Sequence, residues 1–592
     1  MAARPSNLTI PTLLTIIIFI MSNYHTSSSA AKNPCEDSGP VVPTTPLVSF
    51  LEKVQETALK TSGPKGFDPK LYVDMPLKSN LSTTHDAFDS LAQNGPVSDE
   101  VLKGFLKQYL DDAEADLVAV VPPDFKDVPE HFLPGVESRE VRVWGLEVHK
   151  LWKNLSRKVS SKVLEQPDFH TLLPLNHSVV IPGSRFREVY YWDTFFVNKG
   201  LLASKMVETA KGIVSNLISL VHEFGYVLNG ARKYYTNRSQ PPLLSSMVVD
   251  IYNETHDLEF VKFALPALLK EYEFWTSGVH NVIVRDSKGS NQSLSRYYAS
   301  WNQPRPESYT IDKETASKVP NKCKAKLYRE IATTAETGWD FSSRWMRVKN
   351  DLTTLATTSI LPVDLNAFIL KMELDITYLS DAIGDPAEAQ RFQEASKARK
   401  NAINSILWNK KRKQWFDYWL SDFDLCEGVY TFNPSSQNME IFASNFIPLW
   451  IHAFNSDVKL VDEVVHSLLK SGLIRPAGIA TSLNNSGQQW DYPNGWAPIQ
   501  YMIVHGLMKS ESKDAKEVAE DIVVKWIRTN YATYNKTGVM LEKYDVETCG
   551  GSGGGGEYVT QTGFGWSNGV VLAFLDEFGW PKDRSIHCPI AN

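Results

Sequence analysis

Apolar residues recur three and four positions apart over most of this chain, a spacing typical of helices with one buried face. The first clear stretch runs from position 138 toward 162. Another begins inside an aromatic stretch at 182–196 and is expected to continue past Met206. Further helices are predicted at 99–113, 207–224, 243–252, 257–275, 341–347, 363–383, 386–408, 440–452, 458–471, 499–508, 513–531 and 569–578. The pattern therefore predicts a mostly helical protein.

Strand-like segments are few and short, such as 414–420. A proline-punctuated lead-in occupies 43–77, and a second proline-rich connector occupies 122–134. Loops rich in Gly, Pro and Trp join successive helices, and no repeat of solenoid length occurs. We therefore predict an all-α fold of concentric helical hairpins whose loops build a site at one end.

The composition is that of a globular protein, with 43% hydrophobic and 22% charged residues among 592. A net charge of −7, with no basic stripe, argues against nucleic acid as a partner. The 16 tryptophans and the aromatic content of 11% instead favour a ligand surface built from rings.

Residues 1–31 have the features of a signal peptide: a basic residue at Arg4, a short apolar core at 13–21 and small residues at 27–31. An uncleaved N-terminal membrane anchor stays open as the alternative, because the apolar stretch lengthens when it is counted from Leu8. Passage through the secretory pathway agrees with glycosylation sequons, including those at Asn80, Asn154, Asn253 and Asn535.

The five cysteines, Cys35, Cys323, Cys426, Cys549 and Cys588, are widely spaced and form no C-x-x-C pair. This spacing argues against a zinc ribbon or a redox pair, and a core of this size does not require disulfides. The sequence also has no H-E-x-x-H motif and no phosphate-binding loop. We therefore predict neither a metal site nor a cofactor.

Three aromatic stretches mix rings with charged side chains: PGSRFREVYYWDTFF at 182–196, QQWDYPNGWAP at 488–498 and GGSGGGGEYVTQTGFGW at 550–566. Aromatic faces pack on the C–H faces of a pyranose ring, while Arg, Asp and Glu bind its hydroxyls. The ordinary interpretation of any one stretch is an aromatic core segment with satisfied polar groups. Their combination favours a sugar site.

Three polar clusters lie between these stretches: Asn229 with RSQPP at 238–242, RPES at 305–308 and GWDFSSRW at 338–345. Prolines restrict the backbone beside the charged groups, which lowers the entropy lost when those groups hold a ligand. Ordinary salt bridges within loops are the alternative. The recurrence of Arg beside Asp, Glu or Gln instead favours forked hydrogen bonding to sugar hydroxyls.

Glycoside hydrolysis requires two carboxyl groups, one protonated and one ionised. Asp340 lies among Trp339, Phe341 and Trp345, and such apolar surroundings favour the protonated form of an acid. Glu542 is the predicted base, kept ionised by Arg344 or by the arginines of the other motifs.

The glycines at 553–556 run straight into Glu557 and predict a lid over a bound sugar, with a flexible linker as the alternative.

These motifs, in this order, resemble those of the trehalases of glycoside hydrolase family 37, and the resemblance covers the chain after the lead-in. It implies an (α/α)6 barrel that hydrolyses α,α-trehalose to two glucoses with inversion and without a cofactor. By motif match Asp340 is the implied general acid and Glu542 the implied general base. The implied sugar contacts are Arg185, Trp192, Asp193, Asn229, Arg238, Ser239, Gln240, Arg305, Pro306, Glu307, Gly338 and Glu557. Ser184 departs from the family, which usually has glycine there.

The expected organisation is a targeting segment at 1–31 followed by one catalytic domain at 32–592. The resemblance implies an extracellular or outward-facing plasma-membrane enzyme, of a plant type, whose partner is trehalose. Two alternatives stay open. One is another inverting glycosidase on the same barrel, acting on a glucosidic oligosaccharide; the other is a sugar-binding sensor without catalysis, although Asp340 and Glu542 together argue against it.

Overall fold

The computed structural model describes residues 35–92, 96–421, 425–426 and 428–589. In chain order its α-helices are α1 (Pro46–Ser62), α2 (Pro69–Asp74), α3 (Leu81–Ala92), α4 (Asp99–Tyr109), α5 (Arg139–Lys150), α6 (Trp152–Leu155), α7 (Ser161–Glu165), α8 (Tyr191–Ala203), α9 (Val207–Phe224), α10 (Leu244–Thr255), α11 (Leu258–Thr276), α12 (Tyr309–Ala316), α13 (Lys324–Glu336), α14 (Val363–Ile383), α15 (Pro386–Ala402), α16 (His452–Asn455), α17 (Val458–Ser471), α18 (Ala497–Met508), α19 (Lys513–Thr537) and α20 (Gly565–Phe578).

The strands are short and belong to small separate sheets. They are β1 (Leu117–Ala119), β2 (Ser156–Val159), β3 (Val179–Val180), β4 (Asn281–Arg285), β5 (Asn291–Ser295), β6 (Ile360–Leu361), β7 (Trp408–Asn409), β8 (Gln414–Trp415), β9 (Tyr418–Trp419), β10 (Leu425–Cys426), β11 (Val429–Thr431), β12 (Ile474–Arg475), β13 (Gly478–Ile479), β14 (Asn494–Trp496), β15 (Lys543–Asp545) and β16 (Gly551–Ser552). The antiparallel sheet β14–β15–β16 matters most for the site, because it pairs Trp496 with Lys543.

Six elements form a closed inner ring: α8, α10, α14, the 3-10 segment Ala443–Trp450, α18 and α20, each contacting the next and α20 contacting α8. These elements are apolar on nearly all sides, as expected for helices enclosed by others. In α8, for example, every residue except Lys199 is buried.

An outer ring packs around the inner one. Helix α9 packs on α8 and α10, α11 on α10 and α14, α15 on α14, α17 on the 3-10 segment, α19 on α18 and α20, and α5 on α20. This alternation of outer and inner helices is an (α/α)6 barrel and confirms the predicted fold class.

Helix α17 shows why several predicted boundaries are correct. It spans the predicted 458–471 because Asp457 accepts a hydrogen bond from the backbone N–H of Leu460 at its start, and Gly472 takes a left-handed conformation at its end. Helices α9 and α14 likewise match their predicted ranges and end at left-handed glycines.

Several predicted helices are wrong in length or type. The stretch predicted at 341–347 is a single 3-10 turn, Ser343–Trp345. The stretch predicted at 440–452 is the 3-10 segment, because Pro448 inside it has no N–H to donate. The helix predicted from 138 toward 162 ends at Lys150, and its later residues form α6 and β2, which pairs with β1. Helix α8 ends at Ala203, before Met206.

The lead-in at 43–77 contains two helices that the proline pattern obscured. Pro46 and Pro69 occupy the first positions of α1 and α2, where the missing N–H has no helical acceptor. A disulfide between Cys35, which precedes this segment, and Cys323 joins the start of the described chain to the residue before α13. A second disulfide joins Cys549 to Cys588.

The predicted targeting segment, residues 1–31, lies outside the described residues. Among the described residues, no helix is both long enough and apolar enough to cross a bilayer.

Candidate active site

A cavity of about 670 Å³, counted with its mouth, lies where the inner elements begin. The first turn of α8 and the loops before α10, α18 and α20 supply much of its wall. Most of the sequence-predicted site residues line it, namely Arg185, Trp192, Asp193, Asn229, Arg238, Gln240, Arg305, Glu307, Gly338, Asp340, Glu542 and Glu557.

Ser239 and Pro306 lie behind this wall. The Ser239 hydroxyl donates to the carbonyl of Val227 at 2.6 Å, and its own carbonyl accepts from the Asn229 amide at 3.0 Å. The Pro306 carbonyl accepts from the Gln55 amide at 3.0 Å. Ser239 therefore supports the cavity residue Asn229, whereas Pro306 contacts α1, and a direct sugar contact by either one stays a prediction.

The predicted acid, Asp340, lines one wall and keeps 33% of its side chain exposed. The nearest cation is Arg305, whose Nη1 lies 4.0 Å from Asp340 Oδ2. Arg305 is already paired, because its Nη2 lies 2.7 Å from Asp312 Oδ1 and 2.7 Å from Glu557 Oε1. Burial in the barrel raises the pKa of Asp340 to about 7, against the lowering effect of Arg305. This environment suits a proton donor near neutrality.

Stacked tryptophan rings begin at Trp339, the residue before Asp340. Trp339 stacks on Trp490 with centroids 5.3 Å apart, and Trp490 stacks on Trp496 at 4.0 Å. Gly338 has φ +73°, and a Cβ there would lie 2.8 Å from the Trp192 ring. Only glycine fits this conformation and this close approach.

The predicted base, Glu542, lines the same cavity and is fully buried. It directly precedes β15, and Lys543 Nζ lies 3.0 Å from Glu542 Oε1. Burial raises the pKa of Glu542, while Lys543 and, to a smaller extent, Arg185 lower it. The base thus has a cation in direct contact, which the acid does not.

The prediction that Arg344 keeps the base ionised is wrong. Arg344 is fully buried, and its guanidinium is held by Asp364 at 2.6 Å and Asp417 at 2.7 Å. The adjacent cation is instead Lys543, a neighbour in sequence. The arginine of another motif that does contribute is Arg185.

A third carboxyl, that of Asp193, lines the same cavity. Burial raises the pKa of Asp193 to about 8, and the negative charges of Glu542 and Asp340 add to this rise. At neutral pH Asp193 therefore carries a proton and offers both a donor and an acceptor to a sugar hydroxyl.

The glycine-rich segment leads directly into Glu557 and Tyr558, which line the cavity. Glu557 pairs with Arg305 and accepts from the Ser308 hydroxyl at 3.1 Å. Gly555 has φ +77°, and a Cβ there would lie 2.5 Å from the carbonyl oxygen of Gly487. A side chain at this position would prevent the segment from seating. Its movement as a lid stays a prediction.

Arg185 shows a contact that the sequence pattern did not reveal. Its guanidinium makes three hydrogen bonds to Asp68, at 2.9 to 3.2 Å, and lies 4.7 Å from the Tyr558 ring centroid. Asp68 precedes α2 in the lead-in. The lead-in therefore orients an arginine of the cavity, although 117 residues separate the two.

Further lining residues were not predicted as site residues. The hydroxyls of Tyr190 and Tyr235 are hydrogen-bonded at 2.7 Å, and both rings line the cavity. Tyr190 belongs to the first aromatic stretch, whose density of rings was a usable signal. Tyr235 lies outside the three stretches and carries no local signal.

Two further sequence features have simple structural outcomes. Ser184 does not adopt a positive φ, and its hydroxyl donates to Gln561 Oε1 at 3.1 Å, so the loop accommodates it. The sequon asparagine Asn237 is only 4% exposed and accepts from Arg238, its neighbour in the cavity wall. A glycan at Asn237 is incompatible with this packing.

The arrangement places in one cavity a buried carboxyl beside a lysine and a second carboxyl without a cation in direct contact, and burial raises the pKa of both. Arginines, amides and aromatic rings surround both. Such a cavity can bind a polyol through charge-assisted hydrogen bonds and ring stacking, and it can donate a proton on one side while accepting one on the other.

Comparison with known proteins agrees with this geometry. The family model described as Trehalase matches residues 65–579. A probable trehalase from Oryza sativa subsp. japonica is 59% identical over 549 residues, covering 92% of this chain and 97% of that protein. A trehalase from Arabidopsis thaliana is 57% identical over 557 residues, covering 93% of this chain and 89% of that protein. The structure of a neutral trehalase from Saccharomyces cerevisiae matches with a TM-score of 0.52 at 24% identity, covering 67% of this chain and 73% of that one, a likeness of fold alone.

Proposed function

This chain belongs to the trehalase family and is a glycosidase that hydrolyses α,α-trehalose to two glucoses, and we propose that Asp340 is its general acid and Glu542 its general base. The observation that carries the assignment is the difference between the two carboxyls. Burial raises the pKa of both, that of Asp340 to about 7, but Glu542 has a cation in direct contact, Lys543 Nζ at 3.0 Å, which lowers its pKa. One is suited to keep a proton and the other to lose it.

In the proposed reaction Asp340 gives its proton to the glycosidic oxygen as the bond to the anomeric carbon breaks. Glu542 removes a proton from a water that attacks that carbon from the opposite face. The attacked ring leaves as β-glucose and the other ring as α-glucose. Because a water must fit between base and sugar, we expect the two carboxyls to lie roughly 6.5–9.5 Å apart.

Sugar binding is assigned to the polar groups that line the cavity. Arg185, Arg238 and Arg305 present guanidinium groups, each paired with a carboxylate that fixes its orientation. A held guanidinium loses little entropy on binding and donates to hydroxyls in a fixed geometry. Asn229, Gln240, Glu307, Asp193 and Glu557 supply the remaining donors and acceptors, while Trp192 offers a ring face.

We further propose that residues 1–31 direct the protein into the secretory pathway and that residues 32–592 form one catalytic domain outside the cell. The sequence features of the first segment and the exposed sequons at Asn80, Asn154, Asn253 and Asn535 support this proposal. Mass spectrometry of the secreted protein tests it: a mature N-terminus near position 31 is expected, and an intact N-terminus in a membrane fraction would favour the anchor.

The experiment that tests the function is product analysis with purified protein. We expect glucose from trehalose and almost none from maltose, with one α- and one β-glucose per trehalose in NMR spectra of fresh product. Two α-glucoses at early times would contradict inversion. Faster cleavage of a glucosidic oligosaccharide would favour the other glycosidase, and trehalose binding without turnover would favour the sensor.

A further inference from the structure

One amide side chain connects the two proposed catalytic carboxyls. Gln489 Nε2 donates to the backbone carbonyl of Asp340 at 2.6 Å, and Gln489 Oε1 accepts from Lys543 Nζ at 2.6 Å. Lys543 Nζ lies 3.0 Å from Glu542 Oε1. A continuous chain of contacts therefore runs from the main chain of the acid to the carboxylate of the base.

We propose that Lys543 and Gln489 are positioning residues of the reaction: Lys543 keeps Glu542 ionised, and Gln489 fixes Lys543 relative to the loop that carries Asp340. This inference rests on the proposed function. Neither residue needs to contact the sugar for its role, because each acts through the proposed catalytic residues.

The surroundings of Lys543 hold its charge close to Glu542. The side chain is fully buried, and its Nζ lies 5.2 Å from the Trp496 ring centroid and 5.3 Å from that of Tyr558. Such rings attract an ammonium group while they exclude the water that would screen it. β-Pairing of Lys543 with Trp496 fixes the backbone in the same place.

Gln489 is itself held rigidly. Its carbonyl accepts from the Asn494 amide at 3.0 Å and from the Trp496 indole at 2.9 Å. The glycine-rich segment covers its side chain, because a Cβ on Gly556 would lie 3.0 Å from Gln489 Cβ, Cδ and Oε1. An amide fixed in this way sets the position of the lysine that it accepts from.

The other charged or titratable groups that act on Glu542 do not replace Lys543. Arg185 is committed to Asp68 through three hydrogen bonds. Asp193 and Tyr558, when ionised, repel a negative charge on Glu542. Lys543 is thus the cation whose contact with Glu542 decides whether the base is ionised at working pH.

The alternative is that Lys543 only stabilises the fold as one half of a buried ion pair. The two roles differ in the pH profile of kcat, whose acidic limb reports ionisation of the base. Loss of a neighbouring positive charge raises the pKa of a carboxyl, so the acidic limb should move to higher pH. A purely structural role would lower thermal stability and leave that limb in place.

The test measures kcat against pH, and melting temperature, for Lys543→Met, Lys543→Arg, Gln489→Met and the exposed control Lys516→Met. We expect the acidic limb of Lys543→Met to rise by about one pH unit or more. Lys543→Arg keeps the positive charge, so its acidic limb should lie close to that of the wild type. Gln489→Met should show a smaller shift than Lys543→Met in the same direction, and the control should match the wild type.

An acidic limb of Lys543→Met that coincides with the wild type would overturn the inference. If Lys543→Met does not fold, Gln489→Met decides, and an unmoved limb there overturns the inference as well. Failure of the proposed function is distinguishable, because the wild-type protein would then release no glucose from trehalose. An active wild type whose variants keep its acidic limb removes the positioning role alone.

Discussion

The surroundings of Asp340 and those of Glu542 both withdraw a carboxyl from bulk water, but they act differently on its charge. Beside the acid, Arg305 lies 4.0 Å from Asp340 and forms ion pairs with Asp312 and Glu557. Beside the base, Lys543 Nζ lies 3.0 Å from Glu542 Oε1. Arg305 lowers the pKa of Asp340 without overcoming the effect of burial, and Lys543, in direct contact, is the largest influence that lowers the pKa of Glu542.

Removing either carboxyl should cause the largest loss. Asp340→Asn removes the proton donor and Glu542→Gln removes the base, each with little change in shape. We expect each to lower kcat at least about a hundredfold, the lower end of general acid–base contributions, while trehalose still binds by calorimetry.

The matched control for these variants is Asp86→Asn, at an exposed position on α3. It should leave kcat unchanged. Near wild-type turnover by Asp340→Asn would show that the acid is misassigned, and Glu307 or Glu557, which line the same cavity, would become the next candidates.

A smaller loss is expected from Asp68→Asn, which weakens the anchor of the cavity residue Arg185. The neutral amide keeps the shape but loses the charge-assisted hydrogen bonds, so Arg185 is less ordered before the sugar arrives. We expect kcat/KM for trehalose to fall about tenfold, the effect of one such contact.

Glu114→Gln is the control for that experiment. Glu114 pairs at 3.3 Å with Arg187, also in the first aromatic stretch, but its side chain is 77% exposed. An exposed pair contributes little. Equal effects of the two substitutions would contradict a specific role for Asp68.

The pH profile of activity should show the contrast between Asp340 and Glu542 directly. Asp340 must be protonated to act, and its pKa is raised to about 7, so activity should fall as the pH rises through about 7. The acidic limb should instead report Glu542, which must lose its proton. A rate that stays constant well above neutral pH would contradict the assignment of Asp340.

The smallest effect concerns glycosylation of Asn237, the sequon asparagine next to Arg238. Asn237 is buried beside Arg238, whereas the sequon asparagines Asn80, Asn154, Asn253 and Asn535 are exposed. Peptide mapping of active, secreted protein should find Asn237 unmodified and at least one of the others modified. Asn237→Gln should therefore leave the glycan mass unchanged, and full occupancy of Asn237 in active enzyme would contradict the placement of Arg238.

Local patterns in the sequence predicted the barrel well where a helix has an apolar face and a clear stop signal. Helices α9 and α14 end at the expected residues because Gly225 and Gly384 take left-handed conformations. The hairpin of β4 and β5 and the helices of the lead-in were missed, because their burial depends on distant partners. Gln55, for example, lies on α1 but binds the carbonyl of Pro306.

The candidate site divides in the same way. Motif resemblance pointed to the residues that line the cavity, since those residues lie in recognisable clusters. The contacts that set the charge states of these residues were harder to predict from the sequence. Asp68 reaches Arg185 from the lead-in, and Arg344, expected beside the base, is held by Asp364 and Asp417. Pairings across such sequence distances follow from the fold and have no local signature.

The most direct test of the acid and base assignment compares trehalose with α-D-glucosyl fluoride, whose fluoride leaves without a proton from an acid. Asp340→Asn should lose trehalose hydrolysis but keep turnover of the fluoride within about tenfold of the wild type. Glu542→Gln should lose both, because each substrate still needs an activated water. Loss of fluoride hydrolysis in Asp340→Asn with retention in Glu542→Gln would reverse the roles and contradict the account.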